Sequence, residues 1–352
     1  MKTLLVTGGA GFIGGHVVRS LVASGSYRVV NLDALTYAAD LRLLQPLAST
    51  GRYVFVNADI RDPDALSQIF AAHRPDGVIH LAAESHVDRS IETPSVFVDT
   101  NVLGTARLLD AALAHFQALD SDRKSRFRFI HVSTDEVFGS LGPSGYFHEA
   151  TAYDPSSPYS ASKAASDHMA RAWHRTFGLP VVVTNCSNNY GPAQFPEKLI
   201  PLMIIKALRG EALPVYGKGD NVRDWLFAAD HAFALRAVFE RGVPGETYCI
   251  GGQSERSNLA VVHAICDGLD QRVAPLASGP RRNLVSFVSD RPGHDARYAI
   301  DASRITNTLG WTPGLSFDEG LAQTIDWYLA NEAWWKPLTE TRTALQRRGL
   351  HR

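Results

Sequence analysis

The sequence predicts an α/β fold: a doubly wound parallel sheet with a smaller mixed α/β lobe attached. Three observations predict it. Short β-rich runs alternate with stretches of helical periodicity through the first half of the 352 residues. Those runs are apolar throughout rather than on alternate positions, as expected of parallel strands covered on both faces. After Asn189 the alternation gives way to turn-rich sequence, and the length suits about two domains or lobes.

Taken in order, Lys2–Thr7 is an apolar run, followed by a glycine-rich turn and a helical pattern over 14–23. Strands are expected at Tyr27–Asp33, Tyr53–Asn57, 78–82, 128–133 and 180–184, with helices at 64–73 and 100–116 between them. A long helix is expected after Ser157, which can cap it, with Pro158 suited to its first position. Beyond Asn189 a helix over Leu199–Leu208, a strand at 226–227, a helix at 230–241 and a strand at Thr247–Ile250 are expected. Residues 1–188 and 222–250 are read as one part of the molecule, with 222–250 returning to the sheet, and 189–221 with 251–352 as the other. The stretch 274–283 reads as a surface loop.

Composition narrows the function. Lys plus Arg number 35 against 36 Asp plus Glu, and no basic run points to nucleic acid or a membrane surface. An anionic substrate must then be met by local cations. The three cysteines, Cys186, Cys249 and Cys266, are scattered, which argues against a disulfide framework and a zinc site, and no metal is expected. The first strand begins at once, leaving no room for a leader, and no apolar run approaches the roughly 18–20 residues that span a bilayer. A cytoplasmic location is expected.

Gly8, Gly11 and Gly14 form a G-x-x-G-x-x-G string between the first strand and the first helix. Such glycines permit a tight turn and let backbone amides approach a pyrophosphate at the helix N-terminus, the signature of a Rossmann-type fold. A glycine string alone also describes a plain turn; the strand before and the helix after favour the first reading. Asp33 closes the second strand about 20 residues on, where a carboxylate binds both ribose hydroxyls and repels a 2′-phosphate. NAD rather than NADP is expected. Asp59, at the end of the next strand, can accept from the adenine amino group, though it also opens an Asp-x-Arg-Asp turn.

Two further groups carry chemistry. Tyr159 and Lys163 stand four apart on the long helix, so they share a face, and an ammonium there is expected to lower the phenol's pKa and make it a base. Thr134, Asp135 and Glu136 follow the fifth strand, at the carboxyl end where open α/β sheets bind ligands. Two carboxylates in unlike surroundings can serve as one acid and one base. Adjacent strand residues point to opposite faces, so Asp135 and Glu136 converge only if the strand has ended by Thr134.

The runs TGGAGFIG, HLAAESHVDRS, HVSTDEVFG, PYSASKAASDH, TNCSNNYGPAQFPEKLIP, YGKGDNVRDW and DRPGHDARYAID resemble the extended short-chain dehydrogenase/reductase family over nearly the whole chain. Within it they are similar to the dTDP-glucose 4,6-dehydratases, chiefly through Thr-Asp-Glu, Pro-Glu-Lys-Leu and Arg-Pro-Gly-His-Asp. The chain departs from that pattern at Phe138, at Ala39-Asp40 and over 271–285. The resemblance implies bound NAD and dTDP-glucose as substrate. It implies that Thr134 orients the oxygen on carbon 4, that Asp135 is the acid for the carbon 6 hydroxyl and that Glu136 is the base for the carbon 5 proton. It implies an NAD site of Phe12, Ile13, Asp33, Thr36, Asp59, Ile60, Ala82, Ala83, Thr100, Tyr159, Lys163 and Asn189 beside the glycines. The nucleotide and diphosphate would be held by Ser85, Asn188, Lys198, Leu199, Pro214, Tyr216, Arg223, Asn258, Arg291 and His294, with Thr134 at the sugar.

Two other readings stand beside it. A nucleotide-sugar 4-epimerase, acting on a UDP-sugar, or a decarboxylase on the same fold needs no acid–base pair at carbons 5 and 6. A non-catalytic NAD-binding scaffold has no need of Tyr159, Lys163, Asp135 and Glu136 together. A homodimer is also expected. The helices at 100–116 and 157–177 carry apolar residues on more than one face, including Val102, Leu103, Leu108, Leu109 and Leu113, and Ala164, Ala165, Met169 and Trp173.

Overall fold

The computed structural model describes residues 1–290 and 293–340. Its strands, in chain order, are β1 (Lys2–Thr7), β2 (Tyr27–Asp33), β3 (Tyr53–Asn57), β4 (Gly77–His80), β5 (Phe129–Thr134), β6 (Val181–Cys186), β7 (Asn188–Tyr190), β8 (Leu213–Tyr216), β9 (Val222–Phe227), β10 (Thr247–Ile250), β11 (Glu255–Ser257) and β12 (Val285–Val288). Seven of them form one sheet in the order β10-β6-β5-β4-β1-β2-β3, and every pairing in it is parallel. The order reverses between β1 and β4, and the carboxyl ends of the strands at that switch point form the crevice where such sheets bind ligands.

Burial accounts for the apolar runs. Every residue of β4, β5 and β6 is buried, because helices cover both faces. One layer joins Val17, Val18 and Leu21 of the first helix to Leu235 and Val238 of the helix Ala228–Arg241. The other layer packs Leu66, Ile69 and Phe70 with Leu108, Leu109 and Ala112. The long helix Pro158–Phe177 starts on a capping box in which Ser157 and Ser160 satisfy each other's backbone amides.

The smaller lobe has its own core. Ile200, Met203 and Ile204 pack on Val261, Ile265 and Leu269 and on Leu321 and Ile325. It carries a three-stranded sheet, β11-β9-β7, and a pair, β12-β8. One expectation needs correction here. Of the stretch 222–250, only the helix and β10 return to the large sheet. β9 pairs instead with β7 and, antiparallel, with β11, because β6 has already ended and β7 leads the chain out of the large sheet. The expected loop 274–283 is mostly exposed, yet it is pinned at one end. Arg281 is buried and donates to the Asp270 carboxylate at 2.6 Å and to the carbonyls of Ala207 and Ala274.

The expected helix over 100–116 is split. Val98–Gly104 is a π-helical segment, and a regular helix runs only over Thr105–Gln117. Gly104 lies against Ile60, where a Cβ would come within 2.8 Å of the isoleucine. Wide turns of this kind cluster at functional sites, and this one holds Thr100 at the crevice with Asn101 buried beside it. Among the described residues, no helix is long and apolar enough to cross a membrane.

Candidate active site

A cavity of about 350 Å³ opens at the carboxyl ends of the strands. Its floor is the turn after β1. Gly8 takes φ +73°, in the left-handed region, and a Cβ on it would come within 2.6 Å of the Ala82 amide. Gly14, in the first turn of the helix Phe12–Ala23, lies so close to the glycine turn that a Cβ would stand 2.1 Å from the Gly8 carbonyl oxygen. Only glycine fits at either place, and a cradle stripped of side chains suits a bound pyrophosphate. Asp33 ends β2, and its carboxylate accepts from the Ala10 amide at 2.9 Å and the Leu35 amide at 2.8 Å. Burial pushes this carboxyl up, and those two amides oppose the rise.

The cavity gathers the whole expected cofactor set: Gly8, Gly11, Phe12, Ile13, Gly14, Asp33, Thr36, Asp59, Ile60, Ala82, Ala83, Thr100, Tyr159, Lys163 and Asn189 all line it. Asp59 does so with its carboxylate turned to Arg61, from which it accepts three side-chain hydrogen bonds and one from the backbone amide. The donors, the glycine cradle and the half-apolar walls fit a dinucleotide.

The chemical residues share this cavity. β5 ends at Thr134, and the next residues turn in a single 3₁₀ loop, Asp135–Phe138. Thr134 caps the loop: its hydroxyl accepts from the Glu136 amide and donates to an Asp135 carboxylate oxygen, both at 3.3 Å. The strand has therefore stopped where both carboxylates need it to, and Asp135 and Glu136 line the same wall. Asp135 is 1% exposed, and its Oδ2 has no hydrogen-bond partner. Burial, with the charges of Glu136 and Asp224 behind it, holds this carboxyl well above the usual carboxylate range. A carboxyl so placed is biased toward its protonated form, the form that can give a proton away.

Tyr159 and Lys163 are both buried and face the cavity. The expected activation of the phenol by the ammonium is corrected. Burial, then the charge of Glu136, drives the Tyr159 phenol well above its ordinary range, while the Lys163 ammonium donates to the Val132 carbonyl at 2.9 Å. In a pocket with carboxylates beside it, a phenolate is disfavoured unless a positive charge is added.

The expected substrate residues divide. Ser85, Asn188 and Lys198 line the cavity with Thr134, and Lys198 donates to the Ser85 carbonyl at 3.2 Å. Leu199 begins the helix behind Lys198, and Pro214, Tyr216, Arg223, Asn258 and His294 are not part of the cavity wall. Most of these last lie in a neighbouring cluster. The rings of Tyr216 and His294 meet edge to face at 6.0 Å, and Tyr216 donates to Asp88. The Arg223 guanidinium lies 4.2 Å from the Tyr298 ring and donates to the Asp295 carbonyl at 2.9 Å. Its charge reaches Asp135, which ties the cluster to the acid. Arg291 lies outside the described residues.

Sequence reasoning missed several wall residues. Glu84, Cys186, Ser187 and Glu197 line the cavity. Tyr37 donates to Glu197 at 2.7 Å, and the Arg89 guanidinium lies 3.4 Å from the Tyr37 ring. Glu84 and Glu197 stand next to Ser85 and Lys198, so adjacency to residues already chosen was the available signal. Asn101 exchanges two hydrogen bonds with the Glu84 backbone and donates to Ser162 at 2.8 Å. It gave no signal, because the π-helical turn that buries it is invisible in the periodicity.

A family model described as GDP-mannose 4,6 dehydratase matches residues 5–324. The chain belongs to that family. Its full-length relatives point to one branch. It is 56% identical over 349 residues to a dTDP-glucose 4,6-dehydratase of Xanthomonas campestris pv. campestris (strain B100), covering 99% of each chain. It is 56% identical over 340 residues to dTDP-glucose 4,6-dehydratase 1 of Escherichia coli (strain K12), covering 94% of each. Among solved structures it resembles DesIV, a dTDP-glucose 4,6-dehydratase from Streptomyces venezuelae with NAD and TYD bound. The TM-score is 0.87 at 45% identity, over 95% of this chain and 99% of that one. A UDP-glucose 4-epimerase from Thermotoga maritima shares the fold at TM-score 0.81, with 27% identity over 93% of this chain and 99% of that one.

Proposed function

We propose that the chain is a dTDP-glucose 4,6-dehydratase, an NAD-dependent hydro-lyase that converts dTDP-glucose to dTDP-4-keto-6-deoxyglucose and water. The observation that carries this reading is the turn after β5: a buried Asp135 with an unpartnered oxygen, followed directly by Glu136, in the cavity that also holds Tyr159 and the glycine cradle. A 4-epimerase has no use for that pair. The full-length relatives at 56% identity support the same branch.

NAD, when bound, supplies a two-electron acceptor and donor and a positive charge, so oxidation at carbon 4 and reduction at carbon 6 leave the enzyme redox-neutral over a turnover. The chain's own residues move the protons. Thr134 hydrogen-bonds the oxygen on carbon 4, and Tyr159 takes its proton. The ketone acidifies carbon 5, from which Glu136 removes the proton. Asp135 gives its proton to the carbon 6 hydroxyl, which leaves as water, and a proton later returns to carbon 5. Lys163 adds the fixed positive charge on the cofactor side. Lys198 and Arg223 are the cations suited to the diphosphate, with Ser85, Asn188, Leu199, Pro214, Tyr216, Asn258, Arg291 and His294 around the nucleotide. On this reading residues 1–188, the helix Ala228–Arg241 and β10 serve chiefly the cofactor, and 189–221, β9 and 251–352 chiefly the nucleotide sugar.

The test is incubation of the purified chain with dTDP-glucose and with UDP-glucose, followed by mass spectrometry. A product lighter by one water from dTDP-glucose, at the higher specificity constant, is expected. An isomer of unchanged mass from UDP-glucose would favour the epimerase.

The protein is further read as a cytoplasmic homodimer. Val98, Leu103 and Phe177 are exposed, and Val102, Met169 and Trp173 are half-buried, on the π-helical segment and the long helix that pack together. Leu108, Leu109 and Ala164, also expected at the interface, are instead buried within the protomer. Light scattering at micromolar concentration should give twice the chain mass of 38.4 kDa.

A further inference from the structure

Behind the cavity lies a second group of ionisable side chains that the proton transfers above do not use. Asp167 is one helical turn beyond Lys163, on the same face of the long helix. It is fully buried, as is His131 on β5. Three donors converge on its carboxylate: His131 Nε2 at 3.0 Å, the Tyr153 hydroxyl at 2.7 Å and Asn185 Nδ2 at 3.2 Å. Tyr153 is itself fixed by Arg171, which donates to its oxygen at 2.7 Å. Such a cage is more than packing requires, since each polar group carried into the interior costs free energy unless it is paired.

We propose that Asp167 is a positioning residue for the reaction, the caged anion that keeps the buried Lys163 side chain an ammonium without touching substrate or cofactor. The inference rests on the dehydratase reading for the use made of Lys163, though not for the charge itself.

The groups around Lys163 come from four elements: Tyr159 and Asp167 on its own helix, His131 on β5, His80 on β4 and Cys186 on β6. Burial lowers both imidazoles, and His80 sits between the hydroxyls of Thr7 and Thr105 at 2.7 and 2.9 Å, so neither ring supplies charge near neutrality. Burial, then Asp135, pushes the Cys186 thiol up to about 12, which keeps it neutral. Burial alone would raise Asp167, but the hydrogen bond from His131 and the charge of Lys163 bring it below the usual range, so it remains an anion. Burial lowers Lys163, and Asp167 is the largest influence opposing that. Of the groups named, Asp167 alone is a carboxylate. An interior ammonium deprived of its counter-charge sheds its proton rather than stay charged.

The test reads the lysine directly. The full chain is labelled with ¹³C at lysine Cε, and the Lys163 resonance is assigned by its loss in Lys163→Arg. The wild type is expected to show an ammonium at pH 7.5. In Asp167→Asn the titration midpoint should fall by about one pH unit or more, the size of effect an opposite charge one helical turn away in a buried site exerts. Tyr153→Phe, which removes one donor and keeps the anion, should leave the midpoint within about 0.3 unit, far short of that charge effect. An unmoved midpoint in Asp167→Asn, or an equal fall in Tyr153→Phe, overturns the proposal. So does a neutral amine in the wild type at pH 7.5, and that spectrum decides even if Asp167→Asn does not fold. Turnover of dTDP-glucose is measured in parallel. An inactive wild type with the expected lysine titration defeats the dehydratase reading alone, and an active one with an unmoved midpoint defeats this inference alone.

Discussion

The turn after β1 and the turn after β5 sit at the same end of one sheet and are built on opposite principles. After β1 the geometry is already set: Asp33 accepts two backbone amides, and the glycines pack against neighbouring backbone with no space to spare. After β5 the chain leaves work undone. Asp135 has a buried oxygen without a partner, burial drives its carboxyl and the Tyr159 phenol upward, and Asn188 nearby keeps its own Oδ1 unpartnered. A binding surface gains by being finished before the ligand arrives. A reacting surface gains by holding groups whose protons are ready to move, at some expense in stability.

The largest expected effect is at the finished turn. In Gly14→Ala the new Cβ would stand 2.1 Å from the Gly8 oxygen, backbone that cannot swing aside. Loss of cofactor retention is expected, read as cofactor content after gel filtration; full retention would mean that the turn is softer than its contacts imply. At the unfinished turn, Asp135→Asn keeps the shape and removes the proton donor. Elimination should slow by about 10²–10⁴-fold, the usual worth of a positioned acid, while the variant stays folded.

A smaller effect separates binding from chemistry. Asp33→Ala removes the carboxylate expected at the ribose hydroxyls, and a lost hydrogen bond to a charged group is worth about 1.5–3 kcal/mol, or roughly 10–150-fold in affinity. NAD affinity should fall by that much and the preference over NADP should shrink, measured by reconstituting the apoenzyme with each cofactor. Equal rescue of the wild type by NADP would mean that Asp33 does not read the ribose.

The smallest effect has an unusual sign. A carboxyl whose folded pKa is raised stabilises fully below its unfolded pKa and loses that contribution as pH rises through the folded value. Asp135 is such a group, so at neutral pH the fold is weaker for having it. Asp135→Asn should therefore melt higher than the wild type at pH 8, by roughly 1–3 °C, and the advantage should vanish toward pH 3. A variant that melts lower at pH 8 would show that Asp135 is structurally satisfied.

The same contrast explains what could be read from the sequence. β1, β2, β3 and β10 lie where the apolar runs place them, and the residues expected at the cofactor all share one cavity, because glycine spacing and strand ends are local signals. The nucleotide cluster was harder. Tyr216, Arg223 and His294 come from separate elements of the small lobe, and nothing local says that they lie beside the cavity rather than in its wall. The split helix at Val98–Gly104 was hidden because a π-helical turn preserves an apolar face while shifting its phase. Tyr159 was misjudged for a different reason. Spacing predicted a neighbour for the phenol, but burial and the charge of Glu136 raise it while Lys163 donates to the Val132 carbonyl, and burial is not written in the spacing.

The division of labour at the turn after β5 is tested most directly by Glu136→Gln, which keeps size and hydrogen-bonding shape and removes the basic group. Stopped-flow absorbance of reduced cofactor is followed beside deuterium uptake at carbon 5 by mass spectrometry. If Tyr159 serves oxidation and Glu136 serves only carbon 5, the variant still forms enzyme-bound reduced cofactor on mixing with dTDP-glucose, while exchange and loss of water slow by about 10²–10⁴-fold. Tyr159→Phe, in the same experiment, forms none. Glu136→Gln that forms no reduced cofactor, or that exchanges carbon 5 at the wild-type rate, would contradict the assignment.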